Sequence, residues 1–439
     1  MRGRAGTVRP LFNMKAISMM FRAPICFALC LSLGFTISPA RAQVFTDIEK
    51  IEVPSNGMAE QPSLVTLPDG RLLMSWTELS GPTFAKVRIA LRDDTGWSVP
   101  VTVAEGDDLF VNYADFPSAV GLADGTIAVQ WLRMNGASSY AYDVNIALSS
   151  DDGMTWGQTV VPHRDGSPRQ HGFVSLLPDG PDGVLAMWLD GRNYDTTDAF
   201  AGGDDAVNAM ELRATTLSVA TGLSEDLMLD ERTCTCCQTS AAIAAEGTII
   251  LAYRDRTVDE IRDISIVRRV DGQWTDPMPV SGDGWEISGC PVNGPAIAAQ
   301  GDKAALVWFT AADGIPAVRI AFSNDRGASF GAPMPIDLGG PAGQVDLLQL
   351  KDGSALVSWV ELTAAGEALL VCHATPENGC GRPTPVTISR SGRTIGFARM
   401  AMADGKVYIA WTEPTKDGSG KPDGGTTIQV AMATLEAME

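Results

Sequence analysis

The sequence predicts an all-β fold: a β-propeller of seven four-stranded blades, with six blades as the alternative if one repeat is an elaborated insertion. A short pattern recurs along the chain, made of an apolar β-rich stretch, a Gly-containing turn, a second apolar stretch and an aromatic anchor. The first copy reads Ser63-Leu64-Val65-Thr66-Leu67, then Pro68-Asp69-Gly70, then Arg71-Leu72-Leu73-Met74-Ser75-Trp76, and the anchor slot is refilled by Trp131, Trp188, Tyr253, Trp308, Trp359 and Trp411. Successive anchors lie 55, 57, 65, 55, 51 and 52 residues apart. A near-constant period of about 50 residues built from strand signals denotes a propeller or solenoid. Size agrees, because the chain exceeds a usual single core yet no Pro/Ser-rich linker divides it. Blades resolve this, since each buries its faces only against its neighbours.

The elements follow in order. Residues 1–42 carry six Lys or Arg and no acid, an apolar run over 23–37 and then Ala40-Arg41-Ala42, the pattern of a cleaved secretory signal. The expected division is therefore 1–42 signal peptide and 43–439 propeller, with a periplasmic or secreted product and no membrane contact after cleavage. Third strands are read at 86–91, 143–148, 263–268 and 318–322. Hairpins leaving through Trp or Phe lead to Pro-rich fourth strands, as in Trp97-Ser98-Val99-Pro100 and Phe330-Gly331-Ala332-Pro333. The seventh copy stops after its third strand, at 427–434. A spare strand at 46–53 is placed to complete that blade and close the ring, leaving no unpaired edge.

Two hairpins are sharper than the rest: Ser149-x-Asp151-x-Gly153-x-x-Trp156 and Ser323-x-Asp325-x-Gly327-x-x-Phe330. Asp bonds backbone within such a turn, Gly takes the positive-φ position, and the aromatic packs the hairpin onto its blade. On these motifs the chain from residue 43 onward resembles the sialidase superfamily, whose Asp-box (BNR) repeats they match. The resemblance implies that both boxes are structural and lie on the blade periphery. It also implies an exo-α-sialidase type of glycoside hydrolase as one functional expectation. Sialidases, however, carry an Arg-Ile-Pro motif and an Arg triad. Here the nearest strings are Arg88-Ile89-Ala90 and Arg319-Ile320-Ala321, both on third strands, so the triad does not carry over.

Charge excludes other classes. The formal net charge is −20, and the six basic residues of the leader make the remainder more acidic still. Nucleic acid and anionic lipid are thereby disfavoured as partners.

Of eight cysteines, Cys26 and Cys30 belong to the leader and six remain. Cys234, Cys236 and Cys237 precede the first strand of the fourth repeat, and Cys290 holds the equivalent position in the fifth. Innermost strands of a propeller start on one face around the channel, so these sulfurs are expected to converge. One outcome is disulfide bonding, favoured by export and an even count, with Cys290 joined to Cys236 or Cys237 and a local Cys372–Cys380 bridge. The other is a soft-metal site for copper or zinc, to which His171, at the start of the third repeat, adds a nitrogen.

The same register places Asp115, Gln238, Asn293, Gln344 and Arg399 around the channel mouth, where they are expected to bind a small molecule or glycan. Turns after second strands add Asp190, Arg192 and Arg254. There is no phosphate-binding Gly loop, no His-Glu-x-x-His and no Gly-x-Ser-x-Gly, and His163, His171 and His373 are the only histidines. Gly-rich pieces at 202–205 and 417–425 read as loop insertions. Three functions remain in view: a channel-mouth binder of ligand or metal, a sialidase-type hydrolase, and a disulfide-stapled scaffold for protein partners.

Overall fold

A computed structural model describes residues 45–194, 209–390, 395–417, 419 and 421–435. The signal peptide and the insertion at 202–205 lie outside these residues. Seven antiparallel sheets form a seven-bladed ring. Their innermost strands are Met58–Thr66, Ser118–Gly121, His171–Asp179, Ser240–Ile243, Ala296–Gln300, Pro341–Gln349 and Arg399–Ala403, numbered here as blades 1 to 7. Blade 2 is the thinnest, its fourth position reduced to one bridge between Ile146 and Val160.

Blade 7 is closed by the start of the described chain. Phe45–Ile51 pairs antiparallel with Pro422–Leu435, with Lys50 opposite Ala431 and Ile51 opposite Val430. The sheet edge that the seventh repeat would otherwise expose is thereby paired.

Each second strand buries its anchor almost completely; Trp76, Trp188, Tyr253, Trp308, Trp359 and Trp411 are inaccessible to solvent. A buried indole N–H without an acceptor is costly, and in four blades the chain supplies one two residues on, on the same side of the strand. Trp76 donates to Glu78 at 3.1 Å, Trp188 to Asp190 at 2.8 Å, Trp359 to Glu361 at 2.7 Å and Trp411 to Glu413 at 2.9 Å. Trp308 uses Asp283 at 2.7 Å, and the Tyr253 hydroxyl uses Asp230.

The two Asp boxes are superimposable in their bonding. Ser149 Oγ accepts from Gly153 N at 2.9 Å and Asp151 from Thr155 N at 2.8 Å; Ser323 Oγ accepts from Gly327 N at 2.9 Å and Asp325 from Ser329 N at 2.9 Å. Gly153 has φ 83° and Gly327 φ 73°, left-handed values that favour glycine. Each also presses on the preceding blade: a Cβ at Gly153 would lie 2.7 Å from Ile89 Cδ1, and one at Gly327 2.9 Å from Ile250 Cδ1. Trp156 and Phe330 pack into the apolar layers beneath their own turns.

Candidate functional site

The face on which the innermost strands begin gathers almost every predicted site residue. Several of these strands open irregularly. Gln61, Phe173, Val292 and Gln344 all adopt positive φ, at 60°, 54°, 50° and 54°. Pairing register shifts between Glu60 and Ser63, between Gly172 and Ser175, and between Gly343 and Asp346. Such bulges re-aim side chains at a strand start.

Asp115, Gln238, Asn293 and Asp346 there bond neighbouring backbone, while Gln344 offers its backbone N–H. Asp115 of blade 2 accepts from Phe173 N of blade 3 at 2.8 Å and from the Tyr142 hydroxyl at 3.2 Å. Burial raises its pKa to about 7, against those hydrogen bonds. Gln238 of blade 4 donates to Ala114 O at 2.7 Å and accepts from Gly294 N at 3.1 Å. Asn293 of blade 5 accepts from Gln344 N at 2.8 Å and donates to Ala342 O at 3.2 Å. Arg399 pairs with Asp346 at 3.2 Å, while Asp346 also takes Met400 N at 2.6 Å. Between them, Ala114, Phe116, Phe173, Val292, Phe397 and Cys236 belong to one apolar cluster. The expected polar rim is thus an inter-blade belt around an apolar centre, because buried amides and carboxylates must satisfy backbone donors before any ligand.

The cysteines meet as the register requires. Cys236 and Cys290 form a disulfide between the starts of blades 4 and 5, with Cα atoms 6.0 Å apart, and Cys372 and Cys380 form a second within blade 6. Cys234 and Cys237 are free and buried. The sulfurs of Cys234, Cys236 and Cys237 lie within 4.8 Å of one another. In this state Cys236 and Cys290 are not thiolates, so four sulfurs do not form one ligand set.

Arg254 sits beside them, 1% exposed, with its guanidinium donating to Asn293 O at 2.9 Å, Arg262 O at 2.6 Å and Phe309 O at 2.6 Å. It also lies over the Trp285 ring at 4.8 Å. These are backbone and ring partners, so its charge acts on the thiols instead. Arg262 reaches Cys234 Sγ at 3.7 Å and is itself held by Glu260 at 2.6 Å. Burial pushes the Cys234 thiol up, but the hydrogen bond from Cys237 and the Arg262 and Arg254 charges outweigh it and bring the pKa to about 6. Cys237 is driven well above its usual value by burial and by Cys234. The surroundings therefore favour a thiolate at Cys234 over one at Cys237.

His171 does not join the sulfurs. Its ring stacks face to face on His163, with centroids 3.7 Å apart and planes 5° from parallel. His171 Nε2 is 3.2 Å from Asp165 Oδ1 and 3.7 Å from Asp190 Oδ1, and His163 Nε2 is 3.5 Å from Asp143 Oδ1. Desolvation opposes charging His171, yet the nearby Asp165, Asp190 and Asp143 carboxylates raise its pKa overall. Two charged rings at 3.7 Å would repel by about 4 kcal/mol at an effective dielectric of 20.

Asp190 is fully engaged elsewhere. It accepts from Trp188, and Arg192 forks onto both its oxygens at 2.8 Å before reaching Asp226 at 2.8 Å. Asp190, Arg192 and Arg254 therefore act as structural pairs and struts in this geometry. The neighbouring Arg strings of the third strands are likewise occupied: Arg88 bonds Thr102 and lies 3.4 Å from Glu78, and Arg319 pairs with Asp283.

The sequence reading missed His163, Asp143, Asp165 and Arg262. The nearest signal for them was the His163-x-Asp165 string eight residues before His171.

No protein-family model matches this chain, and no curated protein matches it in sequence. Solved structures that are similar to it include a Dyadobacter fermentans protein of unknown function, 14% identical with a TM-score of 0.49, covering 89% of this chain and 99% of that one. A second is the GH93 α-L-arabinofuranosidase of Fusarium graminearum in complex with arabinobiose, 13% identical with a TM-score of 0.46, covering 89% and 98%. A third is a Streptococcus pneumoniae sialidase, 11% identical with a TM-score of 0.44, covering 90% and 71%.

Proposed function

We propose that this chain is an exported metal-binding propeller that holds a single soft ion, Cu(I), between the thiolates of Cys234 and Cys237. The observation that carries the reading is the pair of free, buried sulfurs on the strand-start face, beside a guanidinium whose own contacts are carbonyls and an indole ring. Thiolates select soft ions such as Cu(I), and two of them suffice for a linear site. Zinc fits less well, since its structural sites take four ligands and the disulfide removes Cys236 and Cys290 from the set. Two thiolates with Cu(I) leave one net negative charge, which Arg254 and Arg262 offset. Export is supported by the leader-like residues 1–42 and fits a protein carrying disulfides.

The glycan expected at the rim is not part of this reading, because Asp115, Gln238 and Asn293 already hold backbone. The test is Cu(I) retention against a competing chelator, with thiols counted on the same sample. One Cu(I) per chain, two thiols protected from alkylation, and loss of both in Cys234→Ser/Cys237→Ser are expected. A chain that retains no Cu(I) while both thiols are free overturns the reading.

A further inference from the structure

We propose a second metal site, formed by His163, His171 and Asp165, that takes a divalent first-row transition ion and is separate from the cysteine centre. It stands on the connection into blade 3 and the start of that blade's inner strand, and shares no ligand with the sulfurs.

Three observations carry it. His163 is 5% exposed and His171 0%, yet His163 Nδ1, His163 Nε2, His171 Nε2 and Asp165 Oδ1 have no partner in hydrogen-bonding geometry. The acids stand at ion-pair distance, 3.2 to 3.5 Å, but no ring N–H is aimed at them. Buried nitrogens left so are uncommon and ask for an occupant.

Those separations are also the spacings between neighbouring ligand atoms around an ion whose bonds are about 2.1 Å long. His171 Nδ1 faces the Tyr142 carbonyl at 3.3 Å, the arrangement that leaves Nε2 as the coordinating nitrogen. Because the two rings are parallel, one ion lies in both planes only if a ring tilts. His163 is the one with room, since it lines an open cleft of about 320 Å³ together with Asn135, Asp143 and Ser167. The cleft is also the ion's way in.

Charge points the same way. Arg192 and Arg213 are paired with Asp190, Asp226 and Glu211. Asp165 is left facing His163 Nδ1 and His171 Nε2 at one edge of the stacked rings, with Arg192 4.0 Å away, and Asp143 stands at the opposite edge. A dication balances two carboxylates, and a mixed imidazole and carboxylate set suits zinc, copper(II) or manganese rather than the soft ion of a thiolate pair.

The experiment uses the full chain carrying Cys234→Ser/Cys237→Ser, so that Zn(II) bound there cannot be bound by thiolates. Calorimetric titration is expected to give one Zn(II) per chain, weakened at least tenfold by His163→Gln and, separately, by Asp165→Asn. No Zn(II) uptake by the cysteine-free variant, or uptake unchanged in a folded His163→Gln, overturns the proposal. If His163→Gln does not fold, Cu(II) electron paramagnetic resonance on the variant with both histidines decides. Nitrogen hyperfine coupling is expected, and an oxygen-only spectrum overturns the site. Failure of Cu(I) retention in the native chain bears on the cysteine reading alone.

Discussion

Asp115 Oδ1 accepts the backbone N–H of Phe173 at 2.8 Å, so a carboxylate on blade 2 pins the bulged first turn of the inner strand of blade 3. Its fully buried position, shared with Tyr142, raises its pKa to about 7. A carboxyl whose folded pKa lies above its unfolded value stabilises the fold fully below the unfolded pKa, and that stability is lost as pH rises through the folded pKa. His171 is also raised and its contribution runs in the same direction. The melting temperature is therefore expected to fall between pH 5 and pH 8. Asp115→Asn keeps an acceptor for Phe173 and should flatten that slope, giving a variant at least as stable as the native chain at pH 8.

The Asp-box glycines predict a paired effect. Gly153→Ala forces a Cβ into φ 83° and against Ile89 Cδ1, and should cost about 1–3 kcal/mol in chemical unfolding. Ile89→Val removes that methyl group. The double variant should recover part of the loss, and strict additivity would show that the contact between blades 1 and 2 is not the source.

Glu361 collects three donors: Trp359 Nε1 at 2.7 Å, Gly340 N at 2.7 Å and Leu338 N at 3.3 Å. Glu361→Leu leaves all of them without an acceptor in a buried place. A loss of about 3 kcal/mol or more is expected, since each stranded donor costs about 1–3 kcal/mol. Denaturant midpoints measure it, and a change within about 0.5 kcal/mol would mean that water replaces the carboxylate.

Arg262→Gln should raise the Cys234 pKa above its value of about 6, because it removes the cation with the larger effect on that thiol. Thiolate absorbance followed against pH checks this. The Cys236–Cys290 bridge is a separate matter: replacing both by serine is expected to cost about 2–4 kcal/mol by freeing the unfolded chain, with little effect on Cys234 titration.

The ring and its closure were legible because they depend on period. Anchors such as Trp76 and Trp411 recur at blade spacing, and strand 46–53 had no partner other than the last repeat. The juxtaposition of Cys236 and Cys290 was legible for the same reason, since equivalent positions on adjacent blades are neighbours. Which sulfur pairs with which was not, because Cys236 and Cys237 differ by the direction of one side chain on an irregular segment.

The inter-blade bonding of the rim was not legible from residue type alone. Gln238 and Asn293 look like ligand groups in a list of polar residues, but bulges at the strand starts leave backbone N–H groups unpaired and turn these amides inward to meet them. His171 was assigned to the sulfurs because it shares their register. The connection holding His163 and Asp165 folds back over it instead, and no periodic signal marks such a return. The Trp-x-acid pairs at 76/78, 188/190, 359/361 and 411/413 could have been read from the sequence, given that a buried indole needs an acceptor.

The last blade is stitched from two stretches at opposite ends of the polypeptide, with Phe45 opposite Leu435. Synthesis must therefore reach the final stretch before the wheel can seal, and every earlier form is an open arc with a bare edge. A chain cut short before residue 52 would present Pro422–Leu435 unpaired, ready to recruit the same edge of a second arc, so shortened forms should appear as pairs rather than as single wheels.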